Sequence, residues 1–416
     1  MIRNARPRNL DGHKMPENKT MIARLKDIPA GIWVLGFVSM LMDISSEMIH
    51  ALLPVYMITV LGTSTLDVGI IEGIAEATAA ITKIFSGALS DWLGRRKELA
   101  ALGYALAAAT KPIFPLAPNL GWLIAARFTD RVGKGIRGAP RDALIADLAP
   151  EEARGASFGL RQSLDTAGAF FGPLFAMLLM LLTANSFTSV FWIAIVPAVL
   201  SALLILFFVH EPERPGALRK VKSPLSRAEL VRLGRPYWWV VAIAAIFTLA
   251  RFSEAFLVLR AQAAGLPIAL VPAVMVLMNA TYTLAAYPAG VLSDRVDRGS
   301  ILTAGLLILL AAGLVLAYAG STLGVAAGVA LWGLHMGLTQ GLFATLVADA
   351  APAELRGTAF GVFNLVTGLA LLAASIIAGS LWDAAGPKGT FLACSFFAFL
   401  SLAGLLTLRR LRVRPF

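Results

Sequence analysis

Twelve predominantly apolar stretches, each close to the length of one bilayer crossing, follow one another between residues 31 and 408. A helix needs about 20 mostly apolar residues to cross a hydrocarbon core of about 30 Å. The stretches run approximately 31–61, 68–92, 98–117, 120–146, 156–183, 187–209, 237–262, 268–293, 300–319, 323–348, 358–383 and 389–408. With 58% hydrophobic and 15% charged residues, and a mean hydropathy of +0.75, such a chain cannot be wrapped around one soluble core. The expectation is an all-α membrane protein with 12 transmembrane helices in two pseudo-symmetric six-helix bundles.

Polar segments set the boundaries: an N-terminal segment 1–30, a first bundle 31–209, a linker 210–236, a second bundle 237–408 and a tail 409–416. The linker carries seven cations, Arg214, Arg219, Lys220, Lys222, Arg227, Arg232 and Arg235. Lys and Arg also crowd residues 1–30, the tail and every second turn (Arg95, Arg96, Lys97, Arg154, Arg295, Arg298, Arg356), whereas Lys388 is the single cation of the opposite turns. Positive loops stay cytoplasmic, so both termini are expected in the cytoplasm and the protein in a plasma membrane, the inner membrane of a bacterium. The net charge of +11 lies mostly in these juxtamembrane loops, where anionic headgroups account for it without nucleic acid. Residues 1–30 contain no apolar h-region of a cleavable signal peptide. Cys394 stands alone in an apolar run, which leaves no disulfide framework and no thiolate metal site.

The chain also repeats itself. GALSDWLGRRK from Gly87 returns as GVLSDRVDRGS from Gly290, and DLAPEEARGASFG from Asp147 returns as DAAPAELRGTAFG from Asp349. Two echoes at nearly one spacing mark a duplication of roughly 200 residues. In the first echo Gly87 allows close helix contact, Asp91 stands at a helix end where it can pair with a cation or cap a helix N-terminus, and Gly94 permits a sharp turn.

The segment from Gly87 to Lys97 resembles the loop motif of the major facilitator superfamily, and its weaker copy falls where that family has a second one. The resemblance covers essentially all of the chain after residue 30 and implies a conformational latch built from Gly87, Asp91, Gly94, Arg95, Asp294 and Arg298. In span 5, Gly159, Gly168, Gly172 and Pro173 are similar to the pattern of the family's twelve-helix proton-coupled efflux antiporters; two of the usual small residues after the proline are replaced by Leu174 and Phe175. Small residues four apart let helices approach closely, and Gly-Pro bends a helix. In span 4, Arg131, Gly135 and Gly138 resemble the family pattern in which a membrane-embedded Arg takes part in proton coupling.

Charges inside the spans point to a central site. Span 1 places Asp43, Glu47 and His50 on one face, span 2 adds Glu72, Glu76 and Lys83, and span 4 adds Arg127, Asp130, Arg131, Lys134, Arg137, Arg141 and Asp142. Arg161 and Asp165 follow in span 5, and Arg251 and Glu254 in span 7. Each charge near the bilayer centre costs roughly 2.5–3.5 kcal/mol on insertion scales, so together they imply a polar cavity at the interface of the repeats, where such folds bind substrate and coupling ion. Mutual ion pairing is the simplest reading of Lys83, Arg161 and Asp165. Asp43 and Glu47 differ, because like charges on one face and burial both favour the protonated carboxyl; one of them is the expected proton site, with Arg131 tuning it and His50 positioned to relay. The expected substrate cavity comprises Glu76, Arg127, Asp130, Lys134, Arg251, Glu254 and His335, with Asn279, Tyr282 and Gln340 as neutral candidates. Trp238 and Trp239 read as interfacial anchors.

The functional expectation is a monomeric secondary transporter that exports a small anionic or zwitterionic molecule against protons by alternating access. It needs no cofactor or metal, and a proton gradient drives it. An uptake symporter or uniporter on the same scaffold is the first alternative, and a non-transporting receptor or scaffold the second. The sequence contains no nucleophile elbow, zinc spacing or phosphate loop, and the glycines of span 4 lack the preceding strand of a nucleotide loop, so no enzyme is expected.

Overall fold

A computed structural model describes residues 28–150, 153–211, 230, 232–293, 296–340, 342–352 and 355–411. Most of the segment read as a linker, and the position of Asp294, lie outside the described residues, as does the side chain of Asp91. The described chain is helical. We number its crossings α1 (Ala30–Thr59), α2 (Thr65–Leu93), α3 (Arg96–Leu116), α4 (Leu120–Leu148), α5 (Arg154–Leu182), α6 (Phe187–Phe208), α7 (Gly234–Ala263), α8 (Ala273–Ser293), α9 (Arg298–Tyr318) and α10 (Thr322–Thr339, resumed over Leu342–Ala350). The stretch Arg356–Arg410 is two helices, α11 and α12, parted at Gly386, where φ of 67° is a backbone conformation only glycine adopts freely. Among the described residues nine stretches are long and apolar enough to cross a membrane, one of them being this pair. The remaining crossings, α2 and α4, fall outside that set because of the charges they carry.

Local chemistry sets the ends. Ser64 caps α2 through a reciprocal capping box with Asp67, and Gly94 closes the same helix in the left-handed region at φ 66°. Asn119, Ser186, Asp297 and Ser321 accept a first-turn N–H at the starts of α4, α6, α9 and α10. Two crossings are interrupted in equivalent places. Helix α1 breaks after His50 and resumes before Pro54, and α7 breaks after Ala250 and resumes at Ala255. Broken backbone is tolerated at membrane depth only when buried in protein or facing a cavity, and Leu52, Phe252 and Ser253 are buried.

Both halves use one packing scheme: α1 on α5 and α6, α2 and α3 on α4, then α7 on α11 and α12, α8 and α9 on α10. Gly168 and Gly172 of the span-5 motif make the α1–α5 contact possible, because a Cβ on either would meet the Met40 or Ile44 carbonyl oxygen at 2.7 or 2.8 Å. The duplicated sequence motifs are each other's partners. Arg96 Nη1 reaches Asp147 Oδ2 at 2.6 Å, and in the second half Arg298 pairs with Asp349.

The halves meet along α2–α11 and α5–α8. Their contacts favour the face opposite the chain termini, here the distal face. Asp383, at the distal end of α11, accepts hydrogen bonds from the N–H groups of Thr65 (3.2 Å) and Leu66 (3.0 Å) at the start of α2. Deeper, Asn279 Nδ2 of α8 donates to the Ala169 carbonyl of α5 at 2.9 Å.

Candidate functional site

On the terminal-face side of these contacts lies a central cavity of about 550 Å³. The duplication builds it. At the spacing that carries Asp147 onto Asp349, lining residues Lys134, Gly138, Gln162, Asp165 and Thr166 fall on Met336, Gln340, Asn364, Thr367 and Gly368, which line it too. At the spacing of Gly87 and Gly290, Glu76 and Ala79 fall on Asn279 and Tyr282, again on the wall. One wall is therefore ionic and its counterpart neutral, made of amides, hydroxyls and apolar atoms.

The ionic wall is backed by three layers. Farthest from the termini, Arg127 Nη2 donates to Glu72 Oε2 at 2.6 Å, and His50 bridges Glu72 Oε2 (3.4 Å) to Glu47 Oε2 (3.3 Å). Only Glu47 of this set lines the cavity. In the middle layer Lys111 Nζ donates to Asp130 Oδ1 (2.8 Å) and Ser46 Oγ (3.0 Å), while Arg131 joins Asp130 (3.9 Å) to Glu76 (3.2 Å). Nearest the termini Arg137 reaches Asp43 at 3.7 Å and stacks on Tyr104, Arg141 donates to Ser39, and Arg141 and Arg161 share Asp142 and Asp165. Lys83 and Lys134 line the cavity with no carboxylate of the described residues within 4.0 Å.

The expected cavity residues thus divide. Glu76 and Lys134 stand on the wall, whereas Arg127 and Asp130 are buried behind it in ion pairs. Arg251 and Glu254 sit at the α7 break, off this wall, with the Arg251 guanidinium over the Phe247 ring. His335 is fully buried against Phe247 and Trp332, also off the wall. Asp43 and Glu47 are both on it, and Arg131 reaches the cavity only through Glu76. Lys83, Arg161 and Asp165, read as structural partners, line it as well. Of the latch residues, Arg95 pairs with Glu98 at 3.1 Å within the first half, Arg298 pairs within the second, and Gly94 ends α2. Gly87 packs toward Ala139 of α4.

Sequence reasoning missed Lys111. Its signal was a lone cation in an otherwise apolar span, which at membrane depth demands a partner. Tyr104 and Ser39, which hold Arg137 and Arg141, and the polar second-half residues Asn364 and Thr367 gave weaker signals.

A duplicated twelve-helix bundle with a charged cavity between its halves defines a membrane transporter. The model of the Major Facilitator Superfamily matches residues 35–375, and the chain belongs to that family. An uncharacterised MFS-type transporter of Methanocaldococcus jannaschii is 36% identical over 92% of this chain and 95% of its own length. A quinolone resistance protein, NorA of Staphylococcus aureus, is 24% identical over 52% of this chain and 54% of its own. Among solved structures, a POT family transporter in complex with 5-aminolevulinic acid matches with a TM-score of 0.75 at 14% identity, covering 93% of this chain and 98% of that one.

Proposed function

We propose that this transporter exports a small anionic or zwitterionic molecule in exchange for protons, by alternating access about the central cavity. The observation that carries the reading is the presence on one cavity wall of two lone cations, Lys83 and Lys134, and two carboxylates, Asp43 and Glu47. A substrate anion is attracted by the lysines, and its negative charge opposes ionisation of the carboxylates beside it. Protonation and substrate binding are then linked; Asp43 is not locked in a short bridge, since Arg137 stays 3.7 Å away, while Glu47 is within hydrogen-bond reach of His50 at 3.3 Å. Arg131, held by Glu76 and Asp130, tunes the layer from behind. The positive terminal face is the cytoplasmic one, so the cavity loads from the cytoplasm. Similarity over half the chain to a drug-resistance protein supports the outward direction.

Inside-out vesicles decide it. Accumulation of an anionic substrate driven by an acidic lumen, and loss of that drive in Glu47→Gln or Asp43→Asn, is the expected result. Accumulation that ignores the proton gradient refutes antiport, and accumulation in right-side-out vesicles driven by external acid assigns uptake instead.

A further inference from the structure

A second groove, of about 660 Å³, runs between α5 and α8 on the terminal-face side of the Asn279–Ala169 contact. It shares Gln162, Thr166 and Tyr282 with the central cavity, so the two spaces are continuous through those three side chains. Beyond them its lining turns apolar, with Ala167, Phe170, Ala280 and Leu284. Its serine and threonine hydroxyls are satisfied internally. Ser163, Thr166 and Thr283 each donate to the carbonyl one turn back on their own helix, at 2.9, 2.9 and 2.7 Å, which spends their protons on backbone. Gly159, first glycine of the span-5 motif, opens the groove further, since a Cβ there would meet nothing within 4 Å. Leu284 on the α8 rim is 76% exposed, and α5 is the least buried of the long apolar crossings, so this groove faces lipid rather than loop.

We propose that the transported anion is an amphiphile: its headgroup occupies the central cavity beside Lys83 and Lys134, and its single hydrocarbon chain lies in the α5–α8 groove, which it enters sideways from the bilayer. The inference rests on the anionic reading of the cavity and adds the chain. Charge complementarity fixes which end goes where. The lone cations lie on the cavity side of Gln162 and Thr166, and the groove beyond offers no charged side chain among the described residues. The broad apolar opening suits a flexible alkyl chain, whereas a compact polar anion would leave it to lipid.

The test uses the full-length protein in phosphatidylcholine nanodiscs and a dodecyl phosphate carrying a diazirine at its chain end. Photolabelling concentrated on α5 and α8 peptides that contain Phe170, Ala280 and Leu284, and competed by plain dodecyl phosphate, is the expected result. Gly159→Trp, which has room for its side chain at the backbone, lowers that labelling about tenfold, the equivalent of ~1.4 kcal/mol. Ala167→Trp is the second blocking variant, and Lys83→Gln with Lys134→Gln lowers labelling to a similar extent from the headgroup end. Butyl phosphate, which has the headgroup without the chain, separates the two ideas when its protection of the cavity is followed by thermal unfolding. If it binds wild type and Gly159→Trp equally while dodecyl phosphate labels all lipid-facing helices alike, the amphiphile is overturned and the anionic cavity stands. If a dodecyl-trimethylammonium probe labels the groove as well as the phosphate, both fall.

Discussion

The two halves of this transporter share one backbone plan and fill it with opposite chemistry. In α4 the inward positions hold Arg127, Asp130 and Lys134; the spacing of the repeat places Val329, Trp332 and Met336 at the same stations of α10. The first half is consequently cross-linked by buried ion pairs such as Lys111–Asp130 and Arg127–Glu72, each with both side chains no more than 3% exposed. The second is held by an aromatic cluster in which Phe252 touches Phe256, Trp332 and Phe391 at centroid distances of 5.2 to 5.6 Å. Packing can be satisfied either way; proton chemistry cannot. The charged side chains that line the central cavity all come from the first half, and the second half lines it with neutral ones.

The largest effects should come from breaking each half by its own means. Lys111→Met leaves Asp130 buried without its strongest partner, and loss of one member of a buried pair costs about 3–5 kcal/mol. Lys111→Met combined with Asp130→Leu should recover most of that loss, because both charges leave together. In the second half Trp332→Ala deletes a fully buried ring and should cost about 3–5 kcal/mol through the cavity it leaves. Here no polar partner exists among the described residues to rescue it, since the indole Nε1 makes no hydrogen bond to them. Denaturant unfolding in micelles measures all three. No recovery on adding Asp130→Leu, or a Lys111→Met variant as stable as wild type, would erase the distinction.

The seam between the halves ranks next. Asp383 caps the start of α2 from the opposite half, so it favours the arrangement closed at the distal face and is lost whenever that face opens. Asp383→Ala should cost about 1 kcal/mol, within the range for a helix cap. More tellingly, it should raise the reactivity of a cysteine placed at Thr65 toward a membrane-impermeant thiol reagent added to the distal side. Unchanged labelling would mean that the contact forms in both arrangements and gates nothing.

How much of this could be read from residues alone follows the same division. The crossings and the duplication were legible because apolar runs of bilayer length have little to do but cross a bilayer, and long strings repeated at one spacing do not arise by chance. That Asp43 and Glu47 face the central cavity followed from helical spacing and membrane depth. Spacing within one helix, however, places a residue on a face without naming the helix opposite. Arg127 and Asp130 share a helix with Lys134 and are ionic like it, yet they are spent on Glu72 and Lys111, while Lys134 is left facing the cavity. His335 misled for a related reason. A histidine in an apolar helix suggests a ligand contact, but its surroundings are the rings of Phe247 and Trp332. The breaks in α1 and α7 were invisible as such, since the apolar pattern runs straight through them.

The smallest expected effect compares a single pair present in both halves. Arg96–Asp147 and Arg298–Asp349 join the same two repeated motifs, although Arg298 stands in the repeat where the first half has Arg95; the first pair has side chains 16% and 25% exposed and the second 42% and 48%. Arg96 also donates to the Ala143 carbonyl at 3.0 Å, which ties the start of α3 to α4 by a second bond. Water screens the more open pair and competes for its hydrogen bonds, and exposed bridges contribute about 0.2–1 kcal/mol. Arg298→Ala should therefore cost about 0.5 kcal/mol or less, and Arg96→Ala about 1–2 kcal/mol, with the added hydrogen bond to a charged donor. Added salt should shrink the Arg298 effect further and leave most of the Arg96 effect in place. Equal losses, equally sensitive to salt, would show that the two halves treat this inherited contact alike, and would confine their divergence to the membrane interior.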